Sequence, residues 1–130
     1  MLETQQTCDV TYRMYDYGRP RRLHVEQAIG VMKLKTAAGK VAPVKMDGFI
    51  RLIEQKYFVV DRYDLAAGES AVLPGGSAGC LVGLSGAARV SAGGEVDVVA
   101  GKAVVVPADF DPVTIASEGG ASFVRCIAPV

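Results

Sequence analysis

From residue 57 onward, glycine and proline cut the chain into short runs that are rich in β-branched residues. Such runs are the length of strands, and Gly/Pro punctuation at near-regular spacing predicts a sandwich or a barrel. Tyr57 to Leu65 is the first run, and Gly68-Glu69 breaks it. Ser70 to Pro74 is short and stops at Pro74-Gly75-Gly76. Cys80 to Leu84 and Ala87 to Ala92 read as two strands, with Ser85-Gly86 as the turn between them. Gly93-Gly94 predicts a hairpin returning through Val96 to Val99. Ala103 to Val106 is wholly apolar, which suits a strand buried on both faces. Val113 to Ile115 and Ser122 to Ile127 complete the set.

The preceding part is less regular. Asp9 to Tyr15 alternates and predicts a strand, ended by Gly18-Arg19-Pro20. Leu23 to Met32 fits a short helix or a turn-rich segment, and residues 33–56 a long connection with a strand near Gly48 to Ile53. Charge divides along the same line. Residues 1–62 carry 11 basic and 7 acidic side chains, a balance of +4, and residues 63–130 carry 3 and 7, a balance of −4. An imbalance of that size is within ordinary scatter; its sharper reading is a pocket for an anionic small molecule.

Whole-chain properties exclude several classes. A chain of 130 residues, half of them hydrophobic, can build one domain with a real core. Its zero net charge argues against nucleic acid, which wants a basic excess. No apolar run approaches the roughly 20 residues of a membrane helix, and the first residues lack a signal-peptide pattern. Cys8, Cys80 and Cys126 are too few and scattered for a disulfide framework, so a cytoplasmic location with reduced thiols is expected. His24 is the single histidine, so a zinc site built within the chain would need an unusual donor mixture.

Gly101 and Pro107 stand five residues apart in Gly-Lys-Ala-Val-Val-Val-Pro, the glycine–x5–proline spacing of a cupin. In a metal-binding cupin a histidine follows about five residues later; here Pro112 is in that place. The other cupin motif needs two histidines and a glutamate, and no histidine lies between Leu73 and Ala100. The barrel is therefore expected to be metal-free.

The first thirty residues carry the more specific signal. Leu2-Glu3-Thr4-Gln5-Gln6, then Asp9-Val10-Thr11-Tyr12-Arg13-Met14-Tyr15-Asp16-Tyr17-Gly18-Arg19, then Arg22-Leu23-His24-Val25-Glu26-Gln27-Ala28-Ile29 resembles the class I mannose-6-phosphate isomerases where the catalytic domain passes into the C-terminal cupin. A weaker likeness continues through the barrel. The resemblance implies an all-β, cupin-type jelly-roll barrel at 57–130, with an irregular N-terminal extension at 1–56 that contains a short helix. It implies a truncated form that begins inside the catalytic domain. Family members hold one zinc through a glutamine, two histidines and a glutamate, and none of those positions falls in this sequence. By the same resemblance Arg13 matches the active-site arginine, Glu3 an acidic candidate for proton transfer, and Asp9 an acidic residue lining the cleft.

These residue types suit the family's reaction. Interconverting mannose 6-phosphate and fructose 6-phosphate moves a proton between C1 and C2 through an enediolate, whose oxygen charge wants a fixed cation. A carboxylate can shuttle the proton. Each residue also has an ordinary reading: Arg13 paired with Asp9 or Asp16, Glu3 in solvent, Arg19, Arg21 and Arg22 as a solvated run, His24 as a structural histidine. Tyr12, Tyr15 and Tyr17 read as packing residues, and Cys80 and Cys126 as small core residues. The expectation is little or no isomerase activity in this chain alone, with no cofactor of its own. The alternative is a metal-free cupin module that binds a sugar phosphate or assembles oligomers. Open strand edges left without a partner predict self-association, by a swap of the first 20 residues.

Overall fold

The computed structural model describes residues 10–35, 42–110 and 112–128. Residues 10–35 fall in one compact unit and residues 42–128 in another. No helix among the described residues is long and apolar enough to cross a membrane.

The smaller unit is irregular apart from one helix, α1 (Val25–Val31), which buries Ala28. The strand expected from Asp9 to Tyr15 does not form over its described part, Val10 to Tyr15. A strand needs a neighbour for its backbone, and here the Arg13 N–H and C=O are both taken by His24. Asp16 to Arg19 is a tight turn, closed by the Arg19 N–H on the Asp16 carbonyl at 2.9 Å. Its two central residues, Tyr17 and Gly18, sit at φ 51° and 74°, the type I′ pattern.

The larger unit is wholly antiparallel in its strand pairs. Its strands are β1 (Val44–Lys45), β2 (Ile50–Glu54), β3 (Val59–Leu65), β4 (Ser70–Leu73), β5 (Gly79–Ser91), β6 (Glu95–Val99), β7 (Ala103–Val106), β8 (Val113–Ala116) and β9 (Ala121–Ile127). One sheet runs β1-β2-β3-β9-β5-β7. The other runs β6-β5-β8-β4. β5 belongs to both, so the two sheets curl into a half-barrel around a shared strand. β1 and β2, which precede residue 57, extend the first sheet.

The core lies between the sheets. Tyr63, Leu73, Leu81, Val90, Val98, Val113, Ile115 and Phe123 are buried there. Phe49, Tyr63 and Phe123 stack in a column, with ring centroids 5.4 and 5.0 Å apart. Such stacking adds to the area each ring removes from water.

The larger unit differs from the sequence expectation at β5, at β7 and at Cys80 and Cys126. The two strands expected at Cys80 to Leu84 and Ala87 to Ala92 are one, and Ser85-Gly86 is a bend within it. The register of β5 against β9 shifts between Gly83 and Ser85, and Gly86 takes φ 66°. The strand therefore turns without leaving its ladder. β7 is not buried on both faces: Val105 is 73% exposed, and among the described residues β7 pairs with β5 alone. An apolar run has the same sequence at a sheet edge as at its centre. Cys80 and Cys126 face each other across β5 and β9 and are half-buried, at the margin of the core rather than inside it.

The bend depends on missing side chains. A Cβ at Gly83 would lie 2.2 Å from the Val99 carbonyl oxygen, and one at Gly86 would lie 2.1 Å from that of Gly120. Gly86→Ala combines this overlap with a positive φ and is expected to cost about 3 kcal/mol. Gly119→Ala, where a Cβ meets nothing within 4 Å, should stay within about 0.5 kcal/mol of wild type. Urea unfolding of the two variants checks this, and equal midpoints would contradict it.

Candidate functional site

Of the three residues the family resemblance singles out, the structure places Arg13; Glu3 and Asp9 lie outside the described residues. Arg13 is fixed through its backbone. Its N–H donates to His24 Nδ1 at 3.4 Å, and its carbonyl accepts the His24 N–H at 2.7 Å. His24 is thus a structural histidine whose Nδ1 is an acceptor, which puts the ring proton on Nε2.

The Arg13 side chain is less committed than its backbone. Its Nε stands 3.8 Å from Asp16 Oδ1. Asp16 is buried, and its carboxylate is already held by Arg21, whose Nε and Nη2 each donate to one oxygen. That fork-on-fork geometry is the strong form of an ion pair. It holds the Asp16 carboxyl below the usual carboxylate range; burial opposes the shift, and the charges of Arg21 and Arg13 add to it. Arg21, one of the three clustered arginines, is therefore occupied, while Arg19 and Arg22 are exposed. Tyr15 and Tyr17 meet edge-on at 5.0 Å and stay exposed, so the core does not hold them.

The larger unit carries a second polar group, which sequence reasoning missed. Strand register aligns Arg51, Asp61, Arg125 and Leu81 across β2, β3, β9 and β5. Asp61 is 2% exposed and accepts from Arg51 at 2.8 and 3.2 Å. Arg51 also donates to Glu54 at 2.8 Å, and its guanidinium is held more firmly protonated by both carboxylates. Arg125 is 6% exposed and donates from Nη2 to the Pro74 carbonyl. Burial pushes the neighbouring Tyr63 hydroxyl up, and the charge of Arg125 works against that rise. The signal available in sequence was parity: residues 61, 63 and 65 share a face, so Asp61 had to point the same way as Tyr63.

Two hollows lie near this row. A cleft of about 630 Å³ between the β1–β2 turn and β4 sets Lys45 and Arg62 among Asp47, Asp64 and Glu69, so acidic side chains outnumber basic ones there. A cavity of about 10 Å³ lies beside Arg125, lined also by Gly75, Ser77, Gly79 and Pro107.

Gly101, at φ 80°, donates its N–H to the Gly83 carbonyl at 2.9 Å, and Pro107 directly follows β7. The spacing noted in sequence therefore brackets one strand. Among the described residues no three His, Cys, Asp or Glu side chains converge, and His24 uses Nδ1 for the Arg13 backbone.

This architecture is a cupin barrel. A solved RmlC-like cupin from Shewanella frigidimarina superposes with a TM-score of 0.57 at 12% identity, over 76% of this chain and 93% of that one. The mannose 6-phosphate isomerase of Bacillus subtilis superposes with a TM-score of 0.67 at 21% identity, over 91% of this chain and 40% of that one. No family model matches the chain. By sequence it is related to the mannose-6-phosphate isomerases. It is 32% identical to a probable mannose-6-phosphate isomerase of B. subtilis, over 95% of this chain and 42% of that protein. It is 36% identical to the mannose-6-phosphate isomerase of Streptococcus mutans, over 51% of this chain and 24% of that protein. The chain thus spans from about a quarter to about two fifths of the curated relatives it matches, a partial match that fits a C-terminal portion.

The Asp16–Arg21 pair has a pH signature. A carboxyl with a lowered folded-state pKa stabilises above its unfolded value, and that stabilisation is lost as pH falls through the folded value. A carbon-13 titration of Asp16 is expected to show a midpoint below about 3.9, and Arg21→Ala should move it upward. A midpoint indifferent to Arg21→Ala would contradict the assignment.

Proposed function

We propose that this chain contributes the catalytic arginine, Arg13, and a metal-free barrel to a mannose-6-phosphate isomerase activity, and turns over little substrate by itself. The relationship to the B. subtilis protein over 95% of the chain supports the reaction class. One observation in the structure carries the role of Arg13: its backbone is clamped by His24 while Arg21 occupies the carboxylate that would otherwise neutralise it. A cation held by its main chain and loosely paired at its head suits an oxygen that becomes negative only during reaction.

In this reading the Arg13 guanidinium stabilises the enediolate oxygens while a proton passes between C1 and C2. Glu3 is the proposed proton carrier and Asp9 a substrate contact, both by family resemblance. Asp16 keeps its negative charge against Arg21 and so sets the position of the turn that follows Arg13. Among the described residues no group of three His, Cys, Asp or Glu side chains could hold a metal ion.

A coupled assay with mannose 6-phosphate tests the proposal. The isolated chain is expected to be inactive with or without added zinc. A chimera in which this chain replaces the matching part of the B. subtilis relative should be active. There Arg13→Ala should lower kcat by about 100-fold with a smaller change in KM, and Arg13→Lys should recover part of the loss. Zinc-dependent turnover by the isolated chain, or a chimera insensitive to Arg13→Ala, would refute the reading.

A further inference from the structure

Arg125 is the least conventional residue of the barrel. It is 6% exposed, yet among the described residues no carboxylate lies within ion-pair distance of its guanidinium. The acid opposite it in register, Asp61, has both oxygens turned to Arg51. The groups that meet Arg125 are neutral: the Pro74 carbonyl and the Tyr63 hydroxyl beside it. Burying a charge without a counter-charge is costly, and proteins pair such groups or bind an ion to them. Ties to the Pro74 carbonyl and the Tyr63 hydroxyl leave three of the five N–H donors of a guanidinium unused.

The surroundings of Arg125 are shaped to leave space. The adjoining cavity of about 10 Å³ admits roughly one water-sized atom. One side of its wall is the segment from Pro74 to Gly79, with Gly75, Ser77 and Gly79 facing the hollow, and the other side is apolar, with Leu81, Val106 and Phe110 among its residues. A Cβ at Gly79 would lie 3.0 Å from Ile127 Cγ2 and 3.9 Å from Arg125 Nε, so the glycine lets β5 lie close against β9 beside the guanidinium. A hydroxyl and a glycine-rich backbone beside an arginine are the donor set that recognises an anionic oxygen.

We infer that the barrel interior holds a binding site for a small oxyanion, whose one buried oxygen sits in the cavity against Arg125 with Ser77 as a second donor. The remainder of a carboxylate or phosphate group extends toward the segments at Pro74–Gly79 and Pro107–Phe110. The site is built from residues of the larger unit and does not rest on the isomerase reading, because its readout is binding and not turnover.

The test is titration calorimetry and thermal unfolding of the whole chain with inorganic phosphate or acetate, against chloride at matched ionic strength. Wild type should bind phosphate or acetate and show a rise in melting temperature that chloride does not reproduce. Which of the two binds identifies the oxyanion. Arg125→Met, which keeps the volume and removes the charge, should fold and weaken binding at least tenfold. Ser77→Ala should weaken it several-fold, and it serves as the test if Arg125→Met fails to fold. The inference is overturned if chloride acts equally, if neither oxyanion binds, or if the variants bind as wild type does.

Discussion

The larger unit depends on two close approaches of backbone to backbone at a single bend. Where β5 leaves one sheet for the other, Gly83 lies against the Val99 carbonyl and Gly86 against that of Gly120, at distances where no side chain fits. This lets a single 13-residue strand serve both sheets. The first half of β5 pairs with β7 and β9, and the second half with β6 and β8. Every core side chain from Leu81 to Phe123 is placed by that bend, and so is the interior face on which Arg125 is found. Without it the strands would be two ordinary sheets, each with an uncovered apolar face.

Polar groups in this structure are arranged by competition for partners. Arg21 takes Asp16 and leaves Arg13 loosely paired. Arg51 takes Asp61 and leaves Arg125 among neutral groups. In both places one arginine makes the close contacts to the carboxylate, and a second, held by backbone contacts or by burial, is left more loosely paired.

Much of the fold was legible in sequence because turn chemistry is local. Gly93-Gly94, Gly68 and Gly101 mark real turns, and β2, β3, β4, β6, β8 and β9 lie where the β-branched runs are. What could not be read was anything set by register. Ser85-Gly86 looks like a strand end until β9 is known to run alongside it. Ala103 to Val106 looks central until its outer neighbour is found missing among the described residues. Asp9 to Tyr15 alternates as a strand does, but the partner of its backbone is a histidine 11 residues away from Arg13. Arg13 was found through family resemblance, since an arginine in Thr-Tyr-Arg-Met-Tyr has no local mark of function. Arg125 was missed because Ser-Phe-Val-Arg-Cys-Ile reads as a strand with one solvent-facing charge, and only the pairing of four strands puts it inside.

The position of β9 between β3 and β5 also bears on how the barrel is made. β3 and β5 are joined in the sheet only through this strand, which is the last of the described elements to leave the ribosome. Until it has been synthesised, the two long strands have no common neighbour, and their inner edges stand open. The β5–β6 hairpin and the β4–β8 pair can form earlier from what has already emerged. The barrel therefore closes from its middle, and only after β9 has been made. The nascent chain passes through a stage in which its most apolar edges wait for residues 121–127, and protection of those edges falls to whatever meets the chain as it is made.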